Sequence, residues 1–211
     1  MDFFDVVVIG GGSAGYAAAS KAQSNGAKVA IIDRGPLGGL CILRGCMPTK
    51  AILRSSNVLA LIHRAKEFGL SVSSPSADLS LINDRKTRLI KEFASYRIKQ
   101  LNDPKFKLIE EHASFLSPNK IKVGELVLSA KNFIIATGST VADFPIPGLS
   151  EAGFFISDDL LELRETPKSM IVLGAGPVAV ELAQFFCRIG TKTTLIQRSD
   201  YILSKGDEDL A

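Results

Sequence analysis

The sequence is poor in the residues that mark a secreted, metal-binding or membrane protein. Its 211 residues include no tryptophan, three cysteines and two histidines, and its net charge is only +3. Three cysteines do not make a disulfide framework, and cysteines and histidines without clustered spacing argue against zinc. The apolar runs are shorter than the roughly 18 residues of a membrane-spanning helix, and no basic run is interleaved with aromatic residues. We therefore expect a globular cytoplasmic protein that binds no metal, membrane or nucleic acid.

A strand, a glycine-rich turn and a helix are predicted at the start of the chain. Residues 4–9 indicate a buried parallel strand, residues 16–25 a helix, and residues 28–32 a second strand that ends at Asp33. In the intervening G-x-G-x-x-G motif, the first glycine allows the tight turn, the second lets a pyrophosphate approach the backbone, and the third lets the helix pack against the strand. The acid at the end of the second strand can accept a hydrogen bond from a ribose hydroxyl. A turn without a ligand does not need three glycines. We predict dinucleotide binding by Gly10, Gly12, Ser13, Ala14, Gly15, Asp33 and Arg34.

Two cysteines, Cys41 and Cys46, stand just before a predicted helix. Pro48 suits a first helical turn, and at a helix N-terminus the N–H groups and the dipole favour a thiolate, to which Lys50 adds a positive charge. The two side chains do not align on a regular helix, so a bridge between them needs an irregular entry turn. Unreactive buried cysteines, a zinc site and a structural disulfide are the alternatives to a redox-active pair, which we favour. Glycines that allow the turn and close approach to a flat ligand are Gly38, Gly39 and Gly45.

The middle of the chain is predicted to hold a long helix and a small antiparallel meander. Residues 79–101 show helical apolar spacing, with the Lys and Arg residues expected on a solvated face. Residues 106–128 alternate in short runs between turns, which indicates the meander, and residues 131–136 indicate a further strand. His63 and His112 are interpreted as structural. The predicted apolar helix face is Leu81, Ile82, Leu89, Ile90, Phe93 and Ile98, and further candidate cofactor contacts are Gly39, Ala113, Ala136, Thr137 and Gly138.

A second strand–glycine–helix unit follows the connector 144–148. Residues 169–173 indicate its first strand, Gly174 and Gly176 its glycine turn, and residues 193–196 its second strand. Where the first unit has an acid, this one has Arg198, which suits a 2′-phosphate and favours NADPH over NADH; the alternative is a plain surface residue. We expect a first domain over residues 1–149 and the start of a second over residues 150–211.

The order of these motifs resembles the class I pyridine nucleotide–disulfide oxidoreductases. The resemblance rests on GxGxxG, Asp33, GGxCxxxxGCxPxK, ATGS, IPG and GxGxxA, and it covers essentially the whole chain. It implies an α/β fold of two Rossmann-like units, the first with a small antiparallel meander and FAD, the second with NADP or NAD. It also implies that Cys41 is the interchange thiol, that Cys46 is the charge-transfer thiol, and that Lys50 lies near the flavin and pairs with Glu181. A small-molecule disulfide would be the substrate, and the full-length protein would be a homodimer.

The sequence departs from this family at four places. Leu40 stands where a threonine is usual, and Ile42, Leu43 and Arg44 stand in place of the commoner Leu-Asn-Val type. Pro177 stands where a tyrosine gate occurs in some members. The family also continues beyond residue 211. We therefore expect a truncated second unit, no dimerisation domain, and no turnover by these residues alone. An NAD(P)H oxidase or transhydrogenase on the same scaffold and a non-catalytic nucleotide-binding fragment remain alternatives, and lipoamide, glutathione-like disulfides and mercuric ion all remain open as substrates.

Overall fold

The computed structural model describes residues 2–142, 144–204, 206 and 209. These residues form two compact units, one from residues 2–45 with 90–142 and one from residues 46–89 with the described residues from 144 onward. The elements in chain order are β1 (Asp2–Ile9), α1 (Ser13–Ser24), β2 (Val29–Ile32), α2 (Gly39–Leu43), α3 (Cys46–His63), a 3₁₀ turn (Ala65–Phe68), α4 (Leu79–Leu101), β3 (Lys107–Ile109), β4 (Ala113–Ser117), β5 (Lys120–Val123), β6 (Leu126–Ile135), α5 (Leu149–Ala152), α6 (Ser157–Leu160), β7 (Ser169–Leu173), α7 (Pro177–Arg188) and β8 (Lys192–Ile196).

The first unit is built on a six-stranded sheet with the order β3-β2-β1-β6-β5-β4. Strands β3, β2 and β1 pair in parallel, and β1 pairs in parallel with residues 128–135 of β6, with Val7 opposite both Ala30 and Phe133. Strands β4 and β5 pair antiparallel, and β5 pairs antiparallel with residues 126–129 of β6. All residues of β2 are buried, as expected for a parallel strand that is covered on both faces.

Side chains of alternate strand residues form two apolar cores on the two faces of this sheet. One core contains Phe4, Val7 and Ile32 together with residues of β5 and β6. The other contains Val8 and Ile31, which pack against α1 and the last residue of α4, Leu101. The glycine turn between β1 and α1 is therefore anchored by burial on both faces of its strand.

The meander prediction is confirmed for β4–β6 and wrong at its first strand. Residues 107–109 pair with β2 in parallel instead of joining the antiparallel part. Residues 131–136 are likewise not a separate strand, because β6 runs from Leu126 to Ile135, with residues 126–129 paired with β5 and residues 128–135 paired with β1. Short apolar runs carry no signal for the direction of their partner strand.

The second unit contains α3, the first part of α4, a parallel pair β7-β8, and α7. Its core joins apolar residues of α3 and α7, among them Ile52, Leu59, Phe185 and Phe186. Helix α7 ends at Arg188, and Gly190, with φ of +107°, turns the chain into β8. This glycine ends the helix as predicted.

Helix α4 has the predicted bounds, but its predicted apolar face is only partly buried. Ile82 packs against the core of the second unit, whereas Leu81 and Phe93 are 65% and 47% exposed. The buried positions include Asn83 and Lys86, which are 2% and 3% exposed. Asn83 donates a hydrogen bond to the Leu163 carbonyl, and Lys86 donates to the Leu161 carbonyl and, at 2.8 Å, to Glu162. The expectation that the Lys and Arg residues of this helix form a solvated face is therefore wrong at Lys86.

Among the described residues, no helix combines the length and the apolar content needed to cross a membrane.

Candidate functional site

An open cavity of about 360 Å³ lies at the carboxyl ends of β1, β2 and β6 in the first unit. This edge is where open parallel sheets bind their ligands. The cavity brings together residues from five separate stretches of the chain. Of the predicted cofactor residues, those that line it are Gly10, Gly12, Asp33, Arg34, Gly39, Ala113, Ala136, Thr137 and Gly138.

The glycine motif is required by close backbone contacts. Gly10 has φ of +106°, and a Cβ there would lie 2.2 Å from the Ala136 carbonyl oxygen. A Cβ at Gly15 would lie 1.7 Å from the Gly10 carbonyl oxygen. Gly12 is the N-cap of α1, and the first turn, residues 13–15, is small and uncharged. The N–H groups of Ser13 and Ala14 therefore belong to a helix N-terminus that favours an anion.

The start of α2 is held against the glycine turn. Gly39 has φ of +76°, and a Cβ there would lie 2.4 Å from the Gly12 Cα. Only a glycine allows both this φ and this approach. Gly39 was predicted as a cofactor contact, and the structure places it on the cavity wall beside the turn.

The Asp33 carboxylate connects the two loops at the cavity edge. Its Oδ2 accepts a hydrogen bond from the Gly11 N–H at 2.6 Å, and its Oδ1 accepts one from the Gly35 N–H at 2.8 Å. An ionised carboxylate has about four acceptor sites, so capacity remains for a ribose hydroxyl. The sequence indicated the ribose contact but not this loop connection, which depends on backbone N–H groups.

Several cavity residues were missed by the sequence reasoning. His112, interpreted as structural, is exposed and lines the cavity beside Glu111. Its position directly before Ala113 was the signal that could have found it. Leu43 and Arg44 also line the cavity.

The two cysteines occupy different helices. Cys41 lies within the short helix α2 and is half-buried, whereas Cys46 is the first residue of α3 and is exposed. The prediction that both thiols lie at one helix N-terminus is therefore correct for Cys46 and wrong for Cys41. The predicted irregular turn is present at Gly45, where a Cβ would lie 3.1 Å from the Leu40 carbonyl oxygen and 3.3 Å from the Cys41 Cα.

Lys50 and Glu181 form an ion pair within the second unit. Lys50, on α3, donates to the carboxylate of Glu181, on α7, and their side chains are 60% and 32% exposed. An exposed pair contributes only about 0–1 kcal/mol to folding. Fold stability alone therefore does not account for it.

The second glycine turn repeats the strand–turn–helix arrangement. Gly174 follows β7 with φ of +91°, Gly176 is the N-cap of α7, and Pro177 begins that helix. Among the described residues, no heavy atom would lie within 4 Å of a Cβ at Gly174 or Gly176 beyond their chain neighbours. Arg198 is exposed just after β8.

Within the part of the chain that the structure describes, no three His, Cys, Asp or Glu side chains come together as a possible metal site.

Comparisons with known proteins agree with this geometry. The family model for pyridine nucleotide-disulphide oxidoreductases matches residues 4–211. The mercuric reductase of Staphylococcus aureus is 37% identical over 209 residues, which cover 99% of this chain and 38% of that relative. The dihydrolipoyl dehydrogenase of Acholeplasma laidlawii is 36% identical over 212 residues, covering 98% and 63%.

Solved structures give the same result. The HOCl-induced flavoprotein disulfide reductase RclA of Escherichia coli superimposes with a TM-score of 0.81 and 28% identity, covering 97% of this chain and 44% of that one. The chain thus spans less than two thirds of the length of these proteins. Because the family model matches almost every residue, the chain belongs to the pyridine nucleotide-disulphide oxidoreductase family.

Proposed function

We propose that this protein uses NAD(P)H and FAD to reduce a Cys41–Cys46 disulfide, which in turn reduces a disulfide-type substrate. The observation that carries the proposal is that α2, the helix of Cys41, also forms a wall of the dinucleotide cavity. The family is FAD-dependent, and its named relatives include a flavoprotein disulfide reductase. A nucleotide-binding fold without redox chemistry gives no reason for a cysteine in the helix that forms that wall.

The cavity fits the adenosine diphosphate part of FAD. Gly12 and Gly138 leave its floor without side chains, the N-terminus of α1 offers N–H groups to a diphosphate, and Asp33 offers acceptor sites to a ribose. When bound, FAD supplies the capacity to accept a hydride from NAD(P)H. The family resemblance assigns Lys50 and Glu181 to the flavin ring, where they would position it and balance its charge.

The cysteines carry the second half of the proposed reaction. Two electrons break the Cys41–Cys46 bond and leave two thiols. Attack of the Cys41 thiolate on a substrate disulfide then forms a mixed disulfide and releases one substrate thiol. Attack by Cys46 releases the other substrate thiol and restores the bond. We leave the substrate at this class, because the relatives are named for different acceptors.

Counting reactive thiols tests this proposal. With FAD and NADPH under anaerobic conditions, we expect two more thiols per chain than in the oxidised protein. Cys41→Ser and Cys46→Ser should abolish the gain. Cys187→Ser, at an exposed cysteine of α7, is the matched control and should retain it. A gain that survives Cys46→Ser would contradict the pairing.

We further propose that Arg198 selects NADPH. A guanidinium after the second strand of such a unit can bind a 2′-phosphate through charge-assisted hydrogen bonds. We expect Arg198→Leu to weaken NADPH binding about tenfold and to leave NADH binding unchanged. Lys192→Leu, at the other end of β8, is the control. Equal loss for both nucleotides would exclude this role.

A further inference from the structure

We propose that Arg44 binds the diphosphate of FAD from the α2 wall of the cavity. This inference rests on the proposed FAD binding and concerns a residue for which the family resemblance supplies no role. It follows from the side chains of the wall, the geometry of α2 and the charges around the cavity.

Among the residues of the α2 segment that line the cavity, Arg44 is the one with a polar side chain. The four residues of this segment that line the cavity are Gly39, Leu40, Leu43 and Arg44. Glycine and leucine side chains offer no hydrogen bond donor, whereas a guanidinium offers five in a planar fork that matches phosphate oxygens. Any side-chain hydrogen bond from this wall to a phosphate therefore comes from Arg44.

Arg44 directly follows α2 and is held to it by a backbone hydrogen bond. Its N–H donates to the Leu40 carbonyl oxygen at 2.9 Å, and both residues line the cavity. Leu40 occupies the position where the family pattern has a hydroxyl side chain, and Arg44 places a cation on the same cavity wall.

The wall also faces the anion-binding end of the cavity. The close contact of Gly39 with Gly12 fixes α2 beside the N-terminus of α1, which is the place for a diphosphate. The charged side chains that line the cavity are those of Asp33, Arg34, Arg44 and Glu111, and Arg44 is the cation among the lining residues of the α2 segment. A diphosphate at the N-terminus of α1 would therefore have this guanidinium on its α2 side.

The test compares nucleotides with and without phosphate. By calorimetry, we expect Arg44→Val to weaken ADP and FAD binding about tenfold, as for the loss of a charge-assisted hydrogen bond, and to leave adenosine binding unchanged. Arg44→Lys keeps the positive charge but lacks the planar guanidinium, so its affinity for ADP and FAD should lie between that of Arg44→Val and that of the unmodified protein. Lys122→Val removes a cation from an exposed strand position of the same unit and should bind all three ligands normally.

The outcomes separate this inference from the proposed function. FAD and ADP binding that are unaffected by Arg44→Val would overturn the role of Arg44 while leaving FAD binding intact. A changed pH profile of thiol reactivity with unchanged ADP affinity would likewise overturn it and would place the action of Arg44 at the cysteines. If the unmodified protein binds neither FAD nor ADP, both the role of Arg44 and the proposed FAD binding would be overturned. Circular dichroism of each variant checks folding, and Arg44→Gln replaces Arg44→Val if the latter unfolds.

Discussion

Gly39 is a residue whose substitution has a direct structural consequence. Its φ of +76° disfavours any other residue, and a Cβ would also lie 2.4 Å from the backbone of Gly12. Gly26 has a similar φ of +85° but open space around its Cβ position. The two glycines therefore separate backbone strain from steric overlap.

We predict that Gly39→Ala destabilises the protein more than Gly26→Ala does. Strain alone costs about 1 kcal/mol, and the overlap with Gly12 should add roughly 1–3 kcal/mol. Urea unfolding of both variants measures the difference, and FAD affinity should fall only for Gly39→Ala. Equal free energies of unfolding would mean that α2 does not press against the glycine turn.

Glu181 allows function to be tested apart from folding. Its pair with Lys50 is exposed, so we expect Glu181→Gln to change the free energy of unfolding by less than about 1 kcal/mol. If the pair orients the flavin, the rate of flavin reduction by NADPH should fall roughly tenfold or more. Stopped-flow absorbance measures that rate, with Glu165→Gln, at an exposed site of the same unit, as control. A normal rate in Glu181→Gln would remove the pair from the mechanism.

At the residue scale, contiguous motifs were predictable and dispersed ones were not. The glycines and Asp33 follow from a single short stretch of sequence, because the turn chemistry is local. Arg44 could not be placed in the cavity from sequence, and His112 only through its neighbour Ala113, since the way in which distant segments come together is not visible in a local pattern.

At the scale of elements, α4 shows why the length of a helix is easier to predict than its buried face. Periodicity alone defined residues 79–101 correctly. The buried positions include Asn83 and Lys86 because carbonyls at 161 and 163 need donors. Polar groups buried with partners are invisible to a pattern that counts only apolar residues.

Lys86 is accordingly predicted to stabilise the second unit. Lys86→Met keeps the length of the side chain but leaves the Leu161 carbonyl without this donor, so we expect a loss of about 1–3 kcal/mol. The same substitution at the exposed Lys91 of α4 should change stability by less than about 0.5 kcal/mol. Urea denaturation of the two variants measures both values, and equal losses would show that the buried hydrogen bonds contribute nothing.

At the scale of the whole molecule, packing does not follow chain order. Residues 46–89 group with the later residues, while residues 90–142 group with the start of the chain. Local patterns define elements but not which of them share a core, so such grouping is hard to read from sequence. The division into domains at residues 149 and 150 stays a prediction.

Exposed ion pairs lead us to predict how the stability of the fold changes at acidic pH. Hydrogen bonds from Lys107 and Lys131 lower the pKa of Asp2 and of Asp5, and Arg64 lowers the pKa of Glu67. Because the folded-state pKa is the lower one, this stabilisation is present above the unfolded-state pKa and is lost as the pH falls through the folded-state value. Stability should therefore decline between about pH 5 and pH 3.

The midpoint of urea unfolding, measured across this pH range, gives the loss of stability. Lys131→Gln should make this loss smaller, whereas Lys122→Gln should leave it unchanged. Carboxylate NMR should show the pKa of Asp5 rising in Lys131→Gln. An unchanged pKa of Asp5 in Lys131→Gln would contradict the ion pair between the Lys131 Nζ and the Asp5 Oδ1, which are 2.7 Å apart.

The most direct test of the proposed reaction is the absorbance spectrum of the purified protein with FAD during anaerobic titration with NADPH. If Cys46 is coupled to the flavin, a long-wavelength band from a thiolate beside the ring should develop. The band should be absent in Cys46→Ser and present in Cys187→Ser. Flavin that loses its absorbance without that band in the unmodified protein would contradict a disulfide reductase and favour an oxidase or transhydrogenase on the same fold.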